Sequence, residues 1–339
     1  MAYQALYRKY RPTNFDEVVG QTHIIQTLKN AIVQNRIAHA YLFCGPRGTG
    51  KTSIAKIFAK TLNCTNSQDA PCGVCENCKM AANGSHPDII EIDAASNNGV
   101  DEVRNLIDKV KYAPMQGKYK IYIVPDAEKM TAAAQNALLK TIEEPPAYAV
   151  ILLLANNASA LLPTILSRCV MLSLKPVADD KVKQYLMEHV QVPDYEADVC
   201  VAFAQGNIGK AVQLATSDSF NEIKNSALHL LKNVSKMEIN DIIATVKSVS
   251  EFKIDIQDYL DFLAVWYRDI LYFKATRDSN GLIFKDELNV ITDQINKSSY
   301  EGIENILRGL QTAKTRLNAN VNFDLTMELL FLLIKENLV

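Results

Sequence analysis

The residues whose types and spacing could do chemistry fall into two clusters in the first quarter of the chain. The first, Gly45-Pro46-Arg47-Gly48-Thr49-Gly50-Lys51-Thr52, matches G-x-x-x-x-G-K-[ST] and stands between an apolar run at 40–44 and a helical pattern at 54–62. Its glycines let the backbone curl so that successive N–H groups point inward, and the helix start adds its dipole, so phosphate oxygens would be held mainly by main chain. Lys51 would neutralise the β- and γ-phosphates, and the Thr52 hydroxyl would ligate Mg²⁺. ATP or ADP is the expected occupant. The alternative, a glycine-rich turn that merely joins strand to helix, is weighed down by the full match in a strand–helix context.

The second cluster is Cys64, Cys72, Cys75 and Cys78, spaced C-x7-C-x2-C-x2-C. Four thiolates in fifteen positions close a tetrahedral shell, which predicts structural zinc with no vacancy for catalysis. An iron–sulfur cluster uses similar spacing, but nothing else in the chain suggests redox chemistry. Four free thiols would leave a loop rich in oxidisable sulfur. His86 could supplement the site, although four cysteines already fill it. Cys44, Cys169 and Cys200 sit in apolar runs and read as small core residues.

Hydrolysis needs more than a phosphate loop, because an acid at the end of another strand must hold Mg²⁺ and help position water. The run Ile121-Tyr122-Ile123-Val124 ends in Pro125-Asp126-Ala127-Glu128, with proline and aspartate where an aspartate–glutamate pair is expected. Asp126 or Glu128 could substitute. A proline there fixes the backbone and removes a donor, so nucleotide binding without efficient turnover is the expectation.

The elements that must position these groups are legible by period. Short apolar runs at 40–44, 88–92, 119–124, 150–155 and 169–174 alternate with helical patterns, predicting an α/β fold with a five-stranded parallel sheet. Ile24, Ile25, Leu28, Ala31 and Ile32 form one apolar stripe; Val100, Val103, Leu106, Ile107 and Val110 form another. After Lys175-Pro176 the strands stop. The expected organisation is a nucleotide-binding domain at 1–175 with the cysteine insertion at 64–78, a small helical lid at 176–240 and a helical-bundle collar at 241–339.

Composition narrows the class further. The chain has 339 residues, 48% apolar residues, and 36 Lys and Arg against 38 Asp and Glu, for a net charge of −2. No bulk positive field exists to drive nucleic-acid binding, so any such contact must be local. The first twenty residues carry Arg8, Lys9 and Arg11 and lack a signal-peptide core. The longest apolar run, 147–155, is far short of the ~20 residues that span a bilayer. A cytoplasmic location without membrane contact is expected, which keeps thiols reduced.

The motifs together resemble the bacterial DNA polymerase III clamp loader, an AAA+ family. The residues that carry the resemblance are Leu6-Tyr7-Arg8-Lys9-Tyr10-Arg11-Pro12, Phe15-Asp16-Glu17-Val18-Val19-Gly20-Gln21, the phosphate loop, the four cysteines and Asp93-Ala94-Ala95-Ser96-Asn97-Asn98-Gly99-Val100. Leu138-Leu139-Lys140-Thr141-Ile142-Glu143-Glu144-Pro145-Pro146 and Ser167-Arg168-Cys169 extend it. Residues 1–111 resemble the gamma/tau ATPase type. From Tyr112 onward the chain is more similar to the delta-prime type, which is the favoured reading, with an active gamma/tau-type motor as the alternative.

The resemblance implies a hetero-pentameric ring that opens a sliding clamp and places it on primed DNA, in the cytoplasm and at the nucleoid during replication. It makes Tyr10, Arg11, Pro12, Val18 and Val19 adenine-pocket candidates, although they could equally be an N-terminal clasp. It makes Arg168 an arginine finger acting in trans on a neighbour's nucleotide. Asn156 and Asn157 stand where a polar sensor follows the fourth strand. Position 209 is glycine where the ATPase subunits carry a second-sensor arginine, with Lys210 beside it. A DNA-repair or DNA-modifying enzyme would need a second catalytic constellation that the sequence does not offer.

Overall fold

The computed structural model describes residues 11–66, 69–92, 109–252 and 256–338. The 6–10 and 93–100 motifs, Tyr10, and the stripe residues Val100, Val103, Leu106 and Ile107 lie outside the described residues. The first elements are α1 (Thr22–Val33), β1 (Ala40–Cys44), α2 (Lys51–Leu62), α3 (Glu76–Asn83), β2 (Ile89–Glu91) and β3 (Lys120–Val124). They are followed by α4 (Ala132–Glu143), β4 (Ala149–Ala155), α5 (Pro163–Leu166) and β5 (Val170–Ser173).

The five strands form one parallel sheet in the order β2-β3-β4-β1-β5, as the alternation predicts. Every residue of β3 and β4 is buried, which is why both read as continuous apolar runs. The period of two then sorts side chains between two cores. Leu42, Tyr122, Val124, Ile151 and Leu153 pack with Ala134, Leu138 and Ile142 of α4 on one face. Tyr41, Phe43, Ile121, Ile123, Leu152 and Leu154 pack with Ile24 and Leu28 of α1 and Ile54 and Phe58 of α2 on the other. Because β1 lies between β4 and β5, the exit of β1 is flanked by the ends of both: Gly45 N–H bonds Ala155 O at 3.1 Å and Leu174 N–H bonds Cys44 O at 2.7 Å.

Strand β2 begins at Ile89, one residue later than periodicity suggests. Asp88 is fully buried and its carboxylate accepts the N–H groups of Met115, Gln116 and Gly117, each at 2.7 Å. It therefore fixes the turn that feeds β3. Strand β5 covers Val170–Ser173, one residue shorter at each end than the 169–174 apolar run.

The chain divides into two compact units, residues 1–182 with 205–210, and residues 183–204 with 211–339. The helices after β5 are α6 (Asp179–Tyr185), α7 (Asp194–Ala204), α8 (Ile208–Thr216), α9 (Asp218–Asn233), α10 (Ile239–Val249), α11 (Ile256–Thr276), α12 (Leu288–Lys297), α13 (Tyr300–Asn318) and α14 (Phe323–Glu336). In the second unit α11 packs on α9, α12 and α13, and α14 packs on α10 and α13. Trp266, fully buried on α11, donates its indole N–H to Gln294 Oε1 at 2.9 Å, and Gln294 Nε2 donates to Leu231 O at 2.6 Å. Its polar edge is thus satisfied within an apolar bundle. No described helix is long and apolar enough to cross a membrane.

Burial disfavours the Asp88 anion, but three N–H donors and the nearby His86 outweigh it and hold the carboxyl below the ordinary aspartate range. A lowered folded-state value means that its stabilisation is complete above the unfolded pKa of about 3.9 and is lost as pH falls through the folded value. Replacing Asp88 with Asn should cost about 2 kcal/mol in urea unfolding at pH 7. The difference between variant and parent should shrink in the same measurement repeated below pH 4.

Candidate functional site

The phosphate loop is built where β1 gives way to α2. Gly50 is the N-cap of α2 at φ 93°, a left-handed conformation, and a side chain there would meet open space, so glycine is required by backbone conformation. At Gly48, φ is 87° and a Cβ would lie 2.1 Å from Asn207 Nδ2, so the carboxamide of Asn207 packs directly on the loop. Asn207 Oδ1 in turn accepts the Lys210 N–H at 3.1 Å, capping the start of α8. Thr49 Oγ1 donates to Pro46 O at 2.9 Å, closing the turn. Arg47 and Thr52 belong to the same loop–helix junction.

Lys51 gathers the groups around it. Its ammonium donates to Gly45 O at 2.6 Å, Pro46 O at 2.8 Å and Asn156 Oδ1 at 2.9 Å. Asn156 then donates from its main-chain N–H at 3.1 Å and its Nδ2 at 2.6 Å to one oxygen of Glu128. The other oxygen, Glu128 Oε2, is buried without a hydrogen-bond partner. Burial pushes the Lys51 pKa down, with Glu128 the leading opposing charge. A partly desolvated cation at the N-terminus of α2 favours a polyanion.

The candidate acids separate here. Asp126 sits at φ 50° just after Pro125, and its carboxylate pairs with Lys129 at 2.9 Å. Glu128, one short turn later, is the carboxylate linked to Lys51 through Asn156. Asn157 accepts from the Ser159 N–H at 2.9 Å and hydroxyl at 2.8 Å, which commits it to a turn. A magnesium ion fits the donor set in one respect, since Thr52 and the orphaned Glu128 oxygen are the hard oxygen ligands it takes.

Of the adenine-pocket candidates, Arg11 is exposed while Pro12, Val18 and Val19 are half-buried. Val18 packs against the core that includes Phe15, Ile54 and Phe58. The neighbouring Gln21, buried, donates from Nε2 to Lys175 O at 2.6 Å and Thr49 O at 3.5 Å, tying this segment to the phosphate loop and to the exit of β5. Sequence reading treats Gln21 as one letter of a motif, and its distance from Lys175 along the chain conceals the contact.

Arg168 follows α5. Its guanidinium pairs with Glu143 Oε1 at 2.8 Å and donates to Thr164 O at 2.9 Å and Ser167 Oγ at 3.3 Å. The structure does not bring it into the Lys51 group. Gln135, which sequence reading passes over, ties the turn after β3 to the start of α5: Nε2 donates to Met130 O at 3.1 Å and Oε1 accepts the Leu162 N–H at 2.9 Å.

The four cysteines converge. Their sulfurs lie within 4.8 Å of one another, with Cys64 and Cys75 at 3.9 Å. Tetrahedral zinc with Zn–S near 2.3 Å requires S···S of about 3.8 Å, so the donor set fits. The N–H groups of Cys72, Cys75 and Cys78 point at the sulfurs of Cys64, Cys72 and Cys75, at 3.5, 3.4 and 3.4 Å. At Cys75 burial raises the thiol pKa, but hydrogen bonds from Thr65 and Cys78 prevail and bring it to about 6; burial takes Cys78 up to about 12. His86 is not among the converging ligands; its Nδ1 accepts the Asp88 N–H at 3.1 Å. Asn63 fastens the module to β3 by donating to Tyr119 O and accepting the Tyr119 N–H, both at 2.8 Å.

A phosphate loop on a parallel sheet, with an asparagine just past the adjacent strand bonded to its lysine, defines an α/β P-loop domain. Comparison with known proteins gives the family. Models described as DNA polymerase III, delta subunit, and DNA polymerase III, delta subunit, C terminal, match residues 20–178 and 209–336. The chain is similar to DNA polymerase III subunit tau of Bacillus subtilis, 35% identical over 354 residues covering 96% of this chain and 63% of that protein. It is similar also to subunit tau of Escherichia coli, 42% identical over 220 residues covering 63% of this chain and 34% of that protein. A DNA polymerase III gamma subunit-related structure from Thermotoga maritima is 20% identical, covering 92% of this chain and 99% of that one, with a TM-score of 0.42. The chain belongs to the clamp-loader AAA+ family of DNA polymerase III. It spans less than two thirds of the length of the curated relatives it matches.

The cysteine geometry predicts one zinc per chain by elemental analysis of protein purified without added metal. Changing Cys72 to Ser should remove most of it. Because metal binding is coupled to folding, chelation should lower the unfolding midpoint of the parent and leave that of the variant unmoved.

Proposed function

We propose that this chain binds ATP or ADP, with Mg²⁺, at Gly45–Thr52 and works as one subunit of a clamp-loader ring. In that ring it turns over its own nucleotide slowly and supplies Arg168 to the nucleotide of a neighbour while a sliding clamp is loaded on primed DNA. Zinc held by the four cysteines is structural. Residues 1–175 form the nucleotide-binding part, 176–240 the lid and 241–339 the collar that joins subunits. The work takes place in the cytoplasm.

One observation carries this reading. In the binding half of the site Lys51, Asn156 and Glu128 share one hydrogen-bonded array, while the position for a strand-end acid holds Pro125 and the next carboxylate, Asp126, pairs with Lys129. That combination supports the delta-prime type. The gamma/tau-type motor is the second reading, supported by tau relatives that align over most of the chain and by Glu128 facing Lys51 through Asn156.

Two measurements separate them. The isolated chain should turn over ATP slowly, and Pro125→Asp should accelerate it at least tenfold; brisk turnover by the parent, abolished by Lys51→Ala, would favour the motor. In the complex assembled with its partner subunits, Arg168→Ala should lower turnover at the affected site by about 10³-fold. Unchanged turnover would remove the trans role.

A further inference from the structure

The exposed cation that the proposed function sends to a neighbour is engaged on its own subunit, and its partner stands at an electrostatically unfavourable place. Glu143 is the last residue of α4 and Glu144 is its C-cap. Carboxylates at a helix C-terminus face the negative end of the macrodipole, where cations are preferred. Lys140 is the cation that the helix itself places in its last turn. The Arg168 guanidinium supplies a second, lying against Glu143 at 2.8 Å.

Its posture matters as much as its charge. One terminal nitrogen of Arg168 is directed at Glu143; the other folds back onto Thr164 O, four residues earlier, and onto Ser167 Oγ. Both ends of the fork are thus committed to acceptors of the same chain. The side chains of Arg168 and Glu143 are 38% and 47% exposed, so the pair is reachable by an incoming anion. Exposed pairs of this kind bias an equilibrium by no more than about twofold to fivefold. A phosphate, with more charge and more acceptor oxygens than one carboxylate, can outcompete it.

We infer that Glu143 is a docking carboxylate for Arg168: it holds the guanidinium on its own subunit, and delivery to a neighbour's phosphate is an exchange of one oxyanion for another. This rests on the trans role of Arg168 proposed above. Glu143 touches no nucleotide; it is a positioning residue that acts through Arg168. The weak pairing keeps the arginine charge-compensated while no phosphate is presented and surrenders it when one is.

The test uses the complex assembled with its partner subunits. Glu143→Gln, which removes the charge and keeps the shape, should raise kcat/KM for ATP by about twofold to fivefold at low salt. The gain should shrink at 0.5 M salt as the pair is screened. Glu143→Asp, which keeps the charge, should stay near the parent. In an Arg168→Ala background the Glu143→Gln gain should vanish, an outcome that a merely structural role for Glu143 would not produce. If Arg168→Ala slows the complex but Glu143→Gln leaves it unchanged or slower, the docking role is overturned and the trans role stands. If Arg168→Ala has no effect, both fall.

Discussion

The site depends on how one partly buried ammonium is compensated. Lys51 enters a region where burial disfavours its charge, and it stays there because two loop carbonyls and Asn156 accept its three N–H donors while Glu128 backs Asn156. Much of the first unit can be read as the scaffold for that arrangement. β1 delivers the loop, β4 delivers Asn156, and the turn after β3 delivers Glu128; these three strands are neighbours in the sheet, so their ends meet without long excursions. A βαβ topology has this consequence in general, since ligands gather at the carboxyl ends of parallel strands.

The same logic explains why a single proline matters. At the end of β3, Pro125 fixes φ and removes an N–H, and the next residue turns left-handed, so the Asp126 carboxylate swings to Lys129. Glu128 then occupies the approach to Lys51 from one turn further along. The array that results links Lys51, Asn156 and Glu128 without using Asp126. Elsewhere on the same unit, Arg168 and Glu143 show a second compensated cation, more exposed and more weakly held.

Local signals made much of this legible in the sequence. The phosphate loop, the cysteine spacing and the strand runs are each contiguous, and periodicity alone sorted the buried strands and the α1 stripe. What sequence did not reveal were contacts between positions far apart along the chain. Gln21 reaching Lys175, Asn207 packing on Gly48, Gln135 bonding Leu162 and Glu143 pairing with Arg168 all depend on which strand ends become neighbours. Strand limits erred for a related reason: Asp88 has no apolar partner to seek and instead gathers three amides from a turn that follows much later. That Asp126 turns to Lys129 while Glu128 bonds Asn156 likewise depends on the backbone angle at Asp126.

The most direct test of the central claim is calorimetric titration of ADP and of a non-hydrolysable ATP analogue into the isolated chain and into Gly48→Ala. A Cβ at position 48 would collide with Asn207 and strain a left-handed residue, so it damages the loop without touching any charge. Saturable one-to-one binding by the parent and at least tenfold weaker binding by the variant are expected. Equal affinities, or no heat of binding from the parent at millimolar nucleotide, would contradict it.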